Sequence, residues 1–224
     1  MQVETFVVIG LGQFGRQLAV SLAQAGQEVL VIDTDMGRVE DIKDVVTRAV
    51  KADATNEETM RALGVGEVAV AIVALGEEDF EAEVLAVGAL KQLGVPRIVA
   101  RASNRQRGRI LALVGADQLI YPEVEAAERM ARTLSSPGVV EEVCLPSGHA
   151  LVEVKIPSRL SGMTLAETQL RAKYGLNVLA VKRPGTGRGG ERVLEPHPEL
   201  ALDGGDVLVL AGERDKVEAF VRGK

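Results

Sequence analysis

Three glycines stand where a phosphate-binding turn would need them. Gly10, Gly12 and Gly15 form the pattern G-x-G-x-x-G, directly after an apolar stretch and at the start of a helical pattern that includes Phe14. In such a turn the first glycine permits the sharp bend, the second lets the backbone approach a pyrophosphate, and the third lets helix and strand pack closely. The helix N-terminus then offers unpaired N–H groups and the positive end of its dipole to the phosphates. The alternative is a glycine turn that serves packing alone.

An acidic residue follows at the distance where such a site binds a ribose. The apolar residues 29–32 end in Asp33, whose carboxylate would accept hydrogen bonds from the ribose hydroxyls. A 2′-phosphate would be repelled by this charge, so NAD or an adenosine phosphate fits better than NADP. Arg38 lies near enough in the sequence to make the exclusion of NADP imperfect.

A Walker-type phosphate loop is a competing interpretation, because Gly10 and Gly15 also satisfy the pattern G-x-x-x-x-G. Arg16 and Gln17 stand where the phosphate-binding lysine and the magnesium-binding hydroxyl residue would follow. The sequence therefore does not support ATP hydrolysis by that mechanism.

Hydride transfer would need a group that accepts a proton, commonly a histidine, or a tyrosine paired with a lysine. His149 and His197 both lie in the second half of the chain, and we expect His197 to be an exposed loop residue. Tyr121 and Tyr174 lack a lysine at the Tyr-x-x-x-Lys spacing, and Cys144 is expected to be a small buried residue. An NAD-dependent dehydrogenase with unrecognised catalytic groups stays open beside a protein that binds a nucleotide without a reaction.

Composition excludes several other classes of function. The 224 residues are 46% hydrophobic and 26% charged, as in a soluble globular protein of one or two domains, and we expect two. The net charge of -6 supplies no basic surface for nucleic acid. The longest apolar stretch, residues 68–75, is too short to cross a bilayer, and the first residues carry no export signal, which predicts a cytoplasmic protein. One cysteine and two histidines without ligand spacing exclude a zinc site.

The first 120 residues alternate short β-branched stretches with helical patterns. We predict strands over residues 5–9, 28–32, 68–73 and 97–100, with five helices after or between them. The second helix is expected to carry Val39, Ile42 and Val46. Strict alternation requires right-handed crossovers and a parallel sheet with helices on both faces. Residues 1–121 are therefore predicted to form a Rossmann-like, doubly wound α/β domain.

The pattern changes near residues 134–138, a serine, proline and glycine cluster where we place a hinge. Residues 122–140 are predicted to form a crossover helix and this hinge, and residues 141–224 a smaller α+β domain. That domain is expected to contain strands over residues 151–156, 177–181 and 207–210, and helices over residues 164–170 and 215–220. The glycine-rich residues 184–190 are expected to be a hairpin loop.

Further segments carry a resemblance to a known family. They are Val7 to Gly15 (VVIGLGQFG), Val31 to Asp33 (VID), Lys51 to Thr55 (KADAT), Ala100 to Asn104 (ARASN), Gly115 to Asp117 (GAD), Tyr121 to Glu123 (YPE) and Leu170 to Val178 (LRAKYGLNV). Over nearly its whole length the chain resembles the cytosolic regulatory subunits of bacterial Trk and Ktr potassium uptake systems, which are built from RCK (KTN) domains.

This resemblance implies a regulator and not an enzyme. Homodimers would assemble into an octameric ring at the inner face of the cell membrane, beneath a separate potassium-translocating membrane protein whose opening depends on the bound nucleotide. The nucleotide would be ATP or ADP, or else NAD or NADH. A small-molecule sensor that serves no channel stays open as a further alternative.

The resemblance also assigns residues to the nucleotide. The glycines would hold the phosphates, Asp33 the ribose, and Asp53 and Ala54 the adenine side. The full expected set is Gly10, Gly12, Gln13, Phe14, Gly15, Asp33, Thr34, Arg38, Asp53, Ala54, Thr55, Ala74, Gly76 and Arg101. Ktr-type proteins often have an arginine at the position of Gln13 that reaches a neighbouring γ-phosphate. Either Arg16 replaces it here, or the protein responds to NAD and NADH as Trk-type members do.

Two weaker sites are implied by the same resemblance. Glu123 matches an acidic position that helps to bind a cation at the dimer interface, although an acid in the first turn of a helix also complements the helix dipole. Arg171, Asn177, Val178 and Pro196 match positions around cyclic di-AMP in Ktr-type relatives. The alternative is that Arg171 caps a helix and Asn177 shapes a turn.

Overall fold

A computed structural model describes residues 4–135, 138–145, 148–185 and 190–223 of the chain. These residues form two compact units, and the division falls between Val124 and Glu125. Within the described residues, no helix has both the length and the apolar content that crossing a bilayer requires.

The first unit contains a six-stranded parallel sheet. Its strands are β1 (Thr5–Ile9), β2 (Glu28–Asp33), β3 (Arg48–Lys51), β4 (Val70–Val73), β5 (Arg97–Arg101) and β6 (Gln118–Ile120). Its helices are α1 (Gln13–Gln24), α2 (Met36–Glu40), α3 (Glu57–Ala62), α4 (Phe80–Gln92) and α5 (Arg105–Val114), with short 3₁₀ helices at Val65–Glu67 and Glu77–Asp79. The strand order is β3-β2-β1-β4-β5-β6, so the order reverses between β1 and β4.

Both faces of this sheet are buried, because neighbouring residues along each strand point to opposite sides. In β1, Val7 and Ile9 pack in a core that contains Met60 of α3, whereas Val8 packs in a second core with Ala19 of α1. Strands covered on both faces read as continuous apolar stretches, as β1 and β4 do. The structure confirms the doubly wound α/β fold that the sequence predicts.

The second helix is shorter than its apolar spacing predicts. The helix α2 ends at Glu40, and Ile42 and Val46 are buried in the turns that follow it. The chain must reach the edge of the sheet by Arg48, where β3 begins to pair with β2, so few residues remain for a longer helix. The prediction of one helix through Val46 is therefore wrong, since two successive turns produce the same burial spacing.

The second unit contains a five-stranded antiparallel sheet. Its strands are β7 (Val139–Cys144), β8 (His149–Lys155), β9 (Asn177–Arg183), β10 (Arg192–Leu194) and β11 (Val207–Glu213), in the order β10-β9-β11-β8-β7. The helices are α7 (Leu165–Thr168), α8 (Leu170–Tyr174) and α9 (Arg214–Arg222), with a 3₁₀ helix at Ser158–Leu160. The helix α6 (Pro122–Ser135) begins in the first unit and ends in the second.

One apolar core holds the second unit together. Leu208 and Leu210 of β11 and Val152 of β8 pack with Phe220 of α9, and all four side chains are buried. The glycine-rich segment joins β9 to β10, which pair antiparallel, but residues 186–189 lie outside the described residues. Residues 136 and 137 of the expected hinge also lie outside them.

Candidate functional site

The glycine turn connects β1 to α1 at the point where the strand order reverses. Gly10 has a φ of +94°, and its N–H donates to the carbonyl of Ile32 at 2.8 Å. A Cβ on Gly15 would lie 2.0 Å from the carbonyl oxygen of Gly10, so only glycine allows α1 to pack this closely. A Cβ on Gly12 would meet no described atom within 4 Å, because this residue borders open space. The turn thus combines tight packing with one accessible stretch of backbone.

Asp33 ends β2 and lies beside the turn with little exposure to solvent. Its Oδ2 accepts a hydrogen bond from the Leu11 N–H at 2.6 Å, and its Oδ1 accepts one from the Asp35 N–H at 2.8 Å. The guanidinium of Arg38 lies 3.6 Å from Oδ2. A carboxylate has about four acceptor positions, so Asp33 can hold the turn and still accept hydrogen bonds from a ligand.

Asp53 and Thr55 form a small hydrogen-bonded loop after β3. Asp53 Oδ1 accepts from the Thr55 N–H at 2.9 Å and from the Thr55 hydroxyl at 2.7 Å. The hydrogen bond from the Thr55 N–H has the largest effect and that from the Thr55 hydroxyl the next largest, and together they hold the pKa of the Asp53 carboxyl below its usual value. Asp53 is therefore ionised at neutral pH, and the loop that precedes α3 is fixed by its own side chains.

Arg101, at the end of β5, connects three parts of the first unit. Its Nη1 donates to the carbonyl of Leu75 at 3.3 Å, and its Nη2 donates to Oε1 of Glu123 at 2.6 Å. Partial burial raises the pKa of the Glu123 carboxyl, but hydrogen bonds from Arg101 and from its own backbone N–H lower it by more. Glu123 is thus an ionised partner of Arg101 at the start of α6.

The glycine turn, Asp33, Asp53 and Arg101 line a cleft of about 470 Å³ at the carboxyl ends of the parallel strands. Ligands of open α/β sheets bind in this position, at the reversal of strand order. The cleft brings together all but three of the residues expected to bind the nucleotide, namely Gly10, Gly12, Asp33, Thr34, Arg38, Asp53, Ala54, Thr55, Ala74, Gly76 and Arg101. A cleft of this size is within the range that small-molecule sites occupy.

Gln13, Phe14 and Gly15 do not line this cleft. Gln13 borders a more open depression of about 580 Å³ that also contains Arg16 and Arg38. Phe14 is half-buried, and Gly15 lies under the carbonyl of Gly10. The cleft-facing part of the motif is therefore Gly10 and Gly12, while Gly15 serves the packing of α1.

Sequence reasoning missed several residues that line the cleft. They are Ile9, Ile32, Ala52, Leu75, Glu78, Asp79 and Ala82. Ile9, Ile32 and Ala52 end or follow strands next to expected residues, so the strand pattern could have located them. Glu78 and Asp79 lie in the 3₁₀ helix after β4, where no motif marks them, and they add negative charge to the cleft.

The polar groups of the cleft are suited to binding a ligand. It provides backbone groups of the glycine turn, the carboxylates of Asp33 and Asp53, and the guanidinium groups of Arg38 and Arg101. His149, His197 and Tyr174 belong to the second unit, and His197 is exposed with Nδ1 3.4 Å from Glu199. Cys144 is the last residue of β7, and its side chain, which the sequence predicts to be buried, lies outside the described part of the structure.

A second cavity of about 500 Å³ lies in the antiparallel unit. It brings together the four residues expected around cyclic di-AMP, which are Arg171, Asn177, Val178 and Pro196. Arg171 is exposed on α8, and Asn177 begins β9 in register with Ala211, so Asn177 is a strand residue and not part of a turn.

The described residues contain no group of three or more histidine, cysteine, aspartate or glutamate side chains placed to hold a metal ion. Glu123, expected to help bind a cation, forms an ion pair with Arg101 of the same chain.

Comparison with protein families gives two matches that together cover most of the chain. The family model of the TrkA-N domain matches residues 6–122, and that of the TrkA-C domain matches residues 149–222.

Individual proteins extend this similarity over the whole chain. The Ktr system potassium uptake protein C of Bacillus subtilis (strain 168) is 35% identical over 215 residues, which cover 96% of this chain and 95% of that protein. The solved GsuK channel bound to NAD has a TM-score of 0.54 and 26% identity over all of this chain. GsuK bound to ADP has a TM-score of 0.50 and 27% identity over 58% of this chain. The chain spans 39% and 34% of the length of these two GsuK chains.

Proposed function

Because the chain belongs to the family of potassium uptake proteins that join a TrkA-N domain to a TrkA-C domain, we propose that it is the nucleotide-sensing regulatory subunit of a potassium uptake system. It binds a nucleotide in the cleft of its first unit. The bound nucleotide changes the conformation of a subunit assembly, and this change opens or closes a separate potassium-translocating membrane protein.

The convergence of Gly12, Asp33, Asp53 and Arg101 on one cleft carries this proposal. The backbone of the glycine turn, beside the N-terminus of α1, suits phosphate oxygens, and the two carboxylates suit ribose and base donors. Arg101 links the cleft to Glu123 of α6, because it donates hydrogen bonds to the Leu75 carbonyl and to Glu123. A ligand that moves Arg101 therefore also changes the contacts of the first turn of α6.

The ligand is an adenine nucleotide, either NAD or NADH or else ATP or ADP. GsuK, to which this chain is similar, is a channel that has been solved with NAD and with ADP. Asp33 is already close to Arg38 at 3.6 Å, so it presents only part of its charge to a ligand. The second unit also has a cavity, which contains Arg171, and cyclic di-AMP is its proposed ligand.

The assembly consists of homodimers that form an octameric ring on the cytoplasmic face of the membrane. Its partner is the membrane subunit through which potassium passes, as expected for a relative of Ktr uptake proteins. In this assembly Glu123 and its counterpart from another subunit hold a cation.

We propose that the protein acts by binding and not by turnover. An NAD-dependent dehydrogenase is the alternative, and it requires a proton acceptor beside the nicotinamide. No described histidine lines the cleft of the first unit. Purified protein that oxidises or reduces the nicotinamide with a panel of 2-hydroxy acids or aldehydes would favour the dehydrogenase.

Potassium uptake tests the proposal directly. Rubidium influx, as a tracer for potassium, is measured in uptake-deficient cells that express a Ktr membrane subunit with this chain, without it, or with its Asp33→Asn variant. We expect the chain to raise influx and the variant to raise it less, although both are present in equal amounts. Equal influx with and without the chain would contradict the proposal.

A further inference from the structure

A buried carboxyl group lies behind the nucleotide cleft and takes no part in the binding described above. Glu83 is the fourth residue of α4 and is only 3% exposed to solvent. Its Oε1 is buried and has no hydrogen-bond partner among the described residues. An unpaired buried carboxylate is costly unless it is neutralised. Glu83 therefore needs either a proton or a cationic partner.

Arg101 is the group that connects Glu83 to the cleft. Glu83 and Arg101 line one small cavity of about 10 Å³, together with Leu75 and Gly76, which also line the nucleotide cleft. The Nε of Arg101 is buried and, like Oε1 of Glu83, has no hydrogen-bond partner within the described part of the chain. The other nitrogens of Arg101 donate to Leu75 and Glu123.

Two cationic side chains lie near Glu83 in the described part of the chain. Arg101 comes from the end of β5 and Arg107 from α5, and the nearby Ser103 is uncharged. Arg107 lies over the ring of Phe80 at 4.7 Å, which fixes it near the start of α4. Burial raises the pKa of Glu83 to about 7, although the positive charges of Arg107 and Arg101 lower it. The protonation of Glu83 thus changes near neutral pH.

We propose that Glu83 is a proton-binding site coupled to the nucleotide cleft through Arg101, so that the protein senses pH as well as nucleotide. The proposal rests on the proposed function, because it requires a nucleotide in that cleft. Glu83 is a positioning residue, since it lines the small cavity and not the cleft itself.

Two physical effects both make nucleotide binding stronger when Glu83 is protonated than when it is ionised. Ionised Glu83 attracts the guanidinium of Arg101 away from Leu75 and Glu123, whereas protonated Glu83 leaves these contacts intact. Ionised Glu83 also repels the anionic phosphates of a nucleotide. Nucleotide binding therefore favours the protonated form and takes up a proton near neutral pH. Affinity falls as the pH rises, about tenfold for each pKa unit by which the nucleotide raises the pKa of Glu83.

The first experiment measures whether Glu83 binds a proton in the protein without nucleotide. Melting temperatures of the full chain and its Glu83→Gln variant are compared between pH 5 and 8. Because the folded protein holds the proton to higher pH than the unfolded chain does, the wild type loses stability relative to the variant as the pH rises through about 7. A constant difference across this range overturns the proton site.

The second experiment measures the coupling. NAD and ADP are titrated by calorimetry at pH 6 and pH 8 in buffers of different ionisation enthalpy, which reports protons taken up. For the wild type we expect proton uptake on binding and weaker binding at pH 8 than at pH 6. We expect the same for the control variant Glu81→Gln, because Glu81 is an exposed residue of the same helix. For Glu83→Gln we expect no effect beyond the nucleotide's own titration. The nucleotide's own titration is the same for all three proteins, so it cancels in the comparison.

The possible failures are distinguishable. Equal proton uptake by the wild type and Glu83→Gln overturns the coupling, although nucleotide binding stands. If neither NAD nor ADP binds the wild type at either pH, ATP and NADH are titrated in the same way, and if none of the four binds, the proposed function fails and the coupling fails with it. The melting temperatures still show in that case whether Glu83 holds a proton.

Discussion

The carboxylate of Asp33 accepts a hydrogen bond from the backbone N–H of Leu11 at 2.6 Å. Leu11 is the second residue of the glycine turn, so the end of β2 fixes the position of the loop that follows β1. A residue expected to bind ribose therefore also holds the turn expected to bind phosphate.

Replacement of Asp33 tests this double role. We expect Asp33→Asn to weaken nucleotide binding by about 1.5–3 kcal/mol, because charge-assisted hydrogen bonds are lost. We also expect a lower melting temperature without nucleotide, since the bond to the Leu11 N–H is weakened. Calorimetry and thermal unfolding measure the two effects. The exposed Asp44→Asn is the control, and unchanged affinity in Asp33→Asn would remove Asp33 from the site.

Substitution of Gly15 is expected to affect stability, and substitution of Gly12 is expected to affect nucleotide binding. A Cβ on Gly15 would lie 2.0 Å from the Gly10 carbonyl oxygen, so Gly15→Ala should destabilise the first unit by about 1–3 kcal/mol, as overpacking does. Gly12→Ala should cost less than about 1 kcal/mol of stability but should reduce nucleotide binding, because the methyl group enters the space for the phosphates. Thermal unfolding and calorimetry separate these outcomes. Equal stability of the two variants would contradict the packing role of Gly15.

An ion pair in the second unit gives a prediction about stability. Asp206 is buried and accepts two hydrogen bonds from Arg183 at 2.8 Å each, whereas Asp203 lies 3.0 Å from the same arginine with its side chain 65% exposed. We expect Asp206→Asn to lower the free energy of unfolding by about 1–3 kcal/mol, because the buried carboxylate loses its charge-assisted hydrogen bonds from Arg183. Asp203→Asn should cost at most about 1 kcal/mol. Urea unfolding measures both.

The same pair predicts the response to acid. Burial raises the pKa of Asp206, but hydrogen bonds from Arg183 and from the Asp203 N–H lower it by more, so the folded-state pKa lies below the usual 3.8. The stabilisation is therefore complete above about pH 4 and is lost as the pH falls through the lower folded-state value. Unfolding at pH 3 and pH 7 should show a smaller difference between the wild type and Asp206→Asn at pH 3. A difference that grows at low pH would contradict this assignment.

The second cavity gives a prediction that separates the two units. We expect Arg171→Ala to abolish binding of cyclic di-AMP, because a planar guanidinium suits a phosphate, and to leave NAD and ADP binding unchanged. Lys173→Ala, on the same helix but outside the cavity, is the matched control. Calorimetry with each ligand measures the effects. Cyclic di-AMP binding that survives Arg171→Ala would remove Arg171 from the proposed site.

Much of the fold could be predicted from the sequence, because buried parallel strands such as β1 and β4 are continuous apolar stretches. The edge strands β3 and β6 could not, since they are short and contain Arg48, Lys51 and Gln118. Edge strands are less constrained by burial, so their composition is mixed. The prediction of a helix through Val46 was wrong for a related reason. The spacing of apolar residues indicates which residues are buried, but it does not show which backbone hydrogen bonds they form.

In the candidate site, too, some residues could be predicted from the sequence and others could not. Gly10, Gly12 and Asp33 are marked by their spacing and do line the cleft. Glu78 and Asp79 follow β4 without a motif, and only the folded chain brings them into the same cleft as the turn. Glu83 reads as one acid among several on α4, since the sequence does not show that its side chain is turned into the protein.

The measurement that tests the account most directly is parallel calorimetric titration of the purified protein with ATP, ADP, NAD and NADH. The account predicts that at least one of them binds at one site per chain, that Asp33→Asn weakens this binding, and that no nucleotide is consumed. If none of the four binds the folded protein, the cleft is not a nucleotide site and the account is wrong.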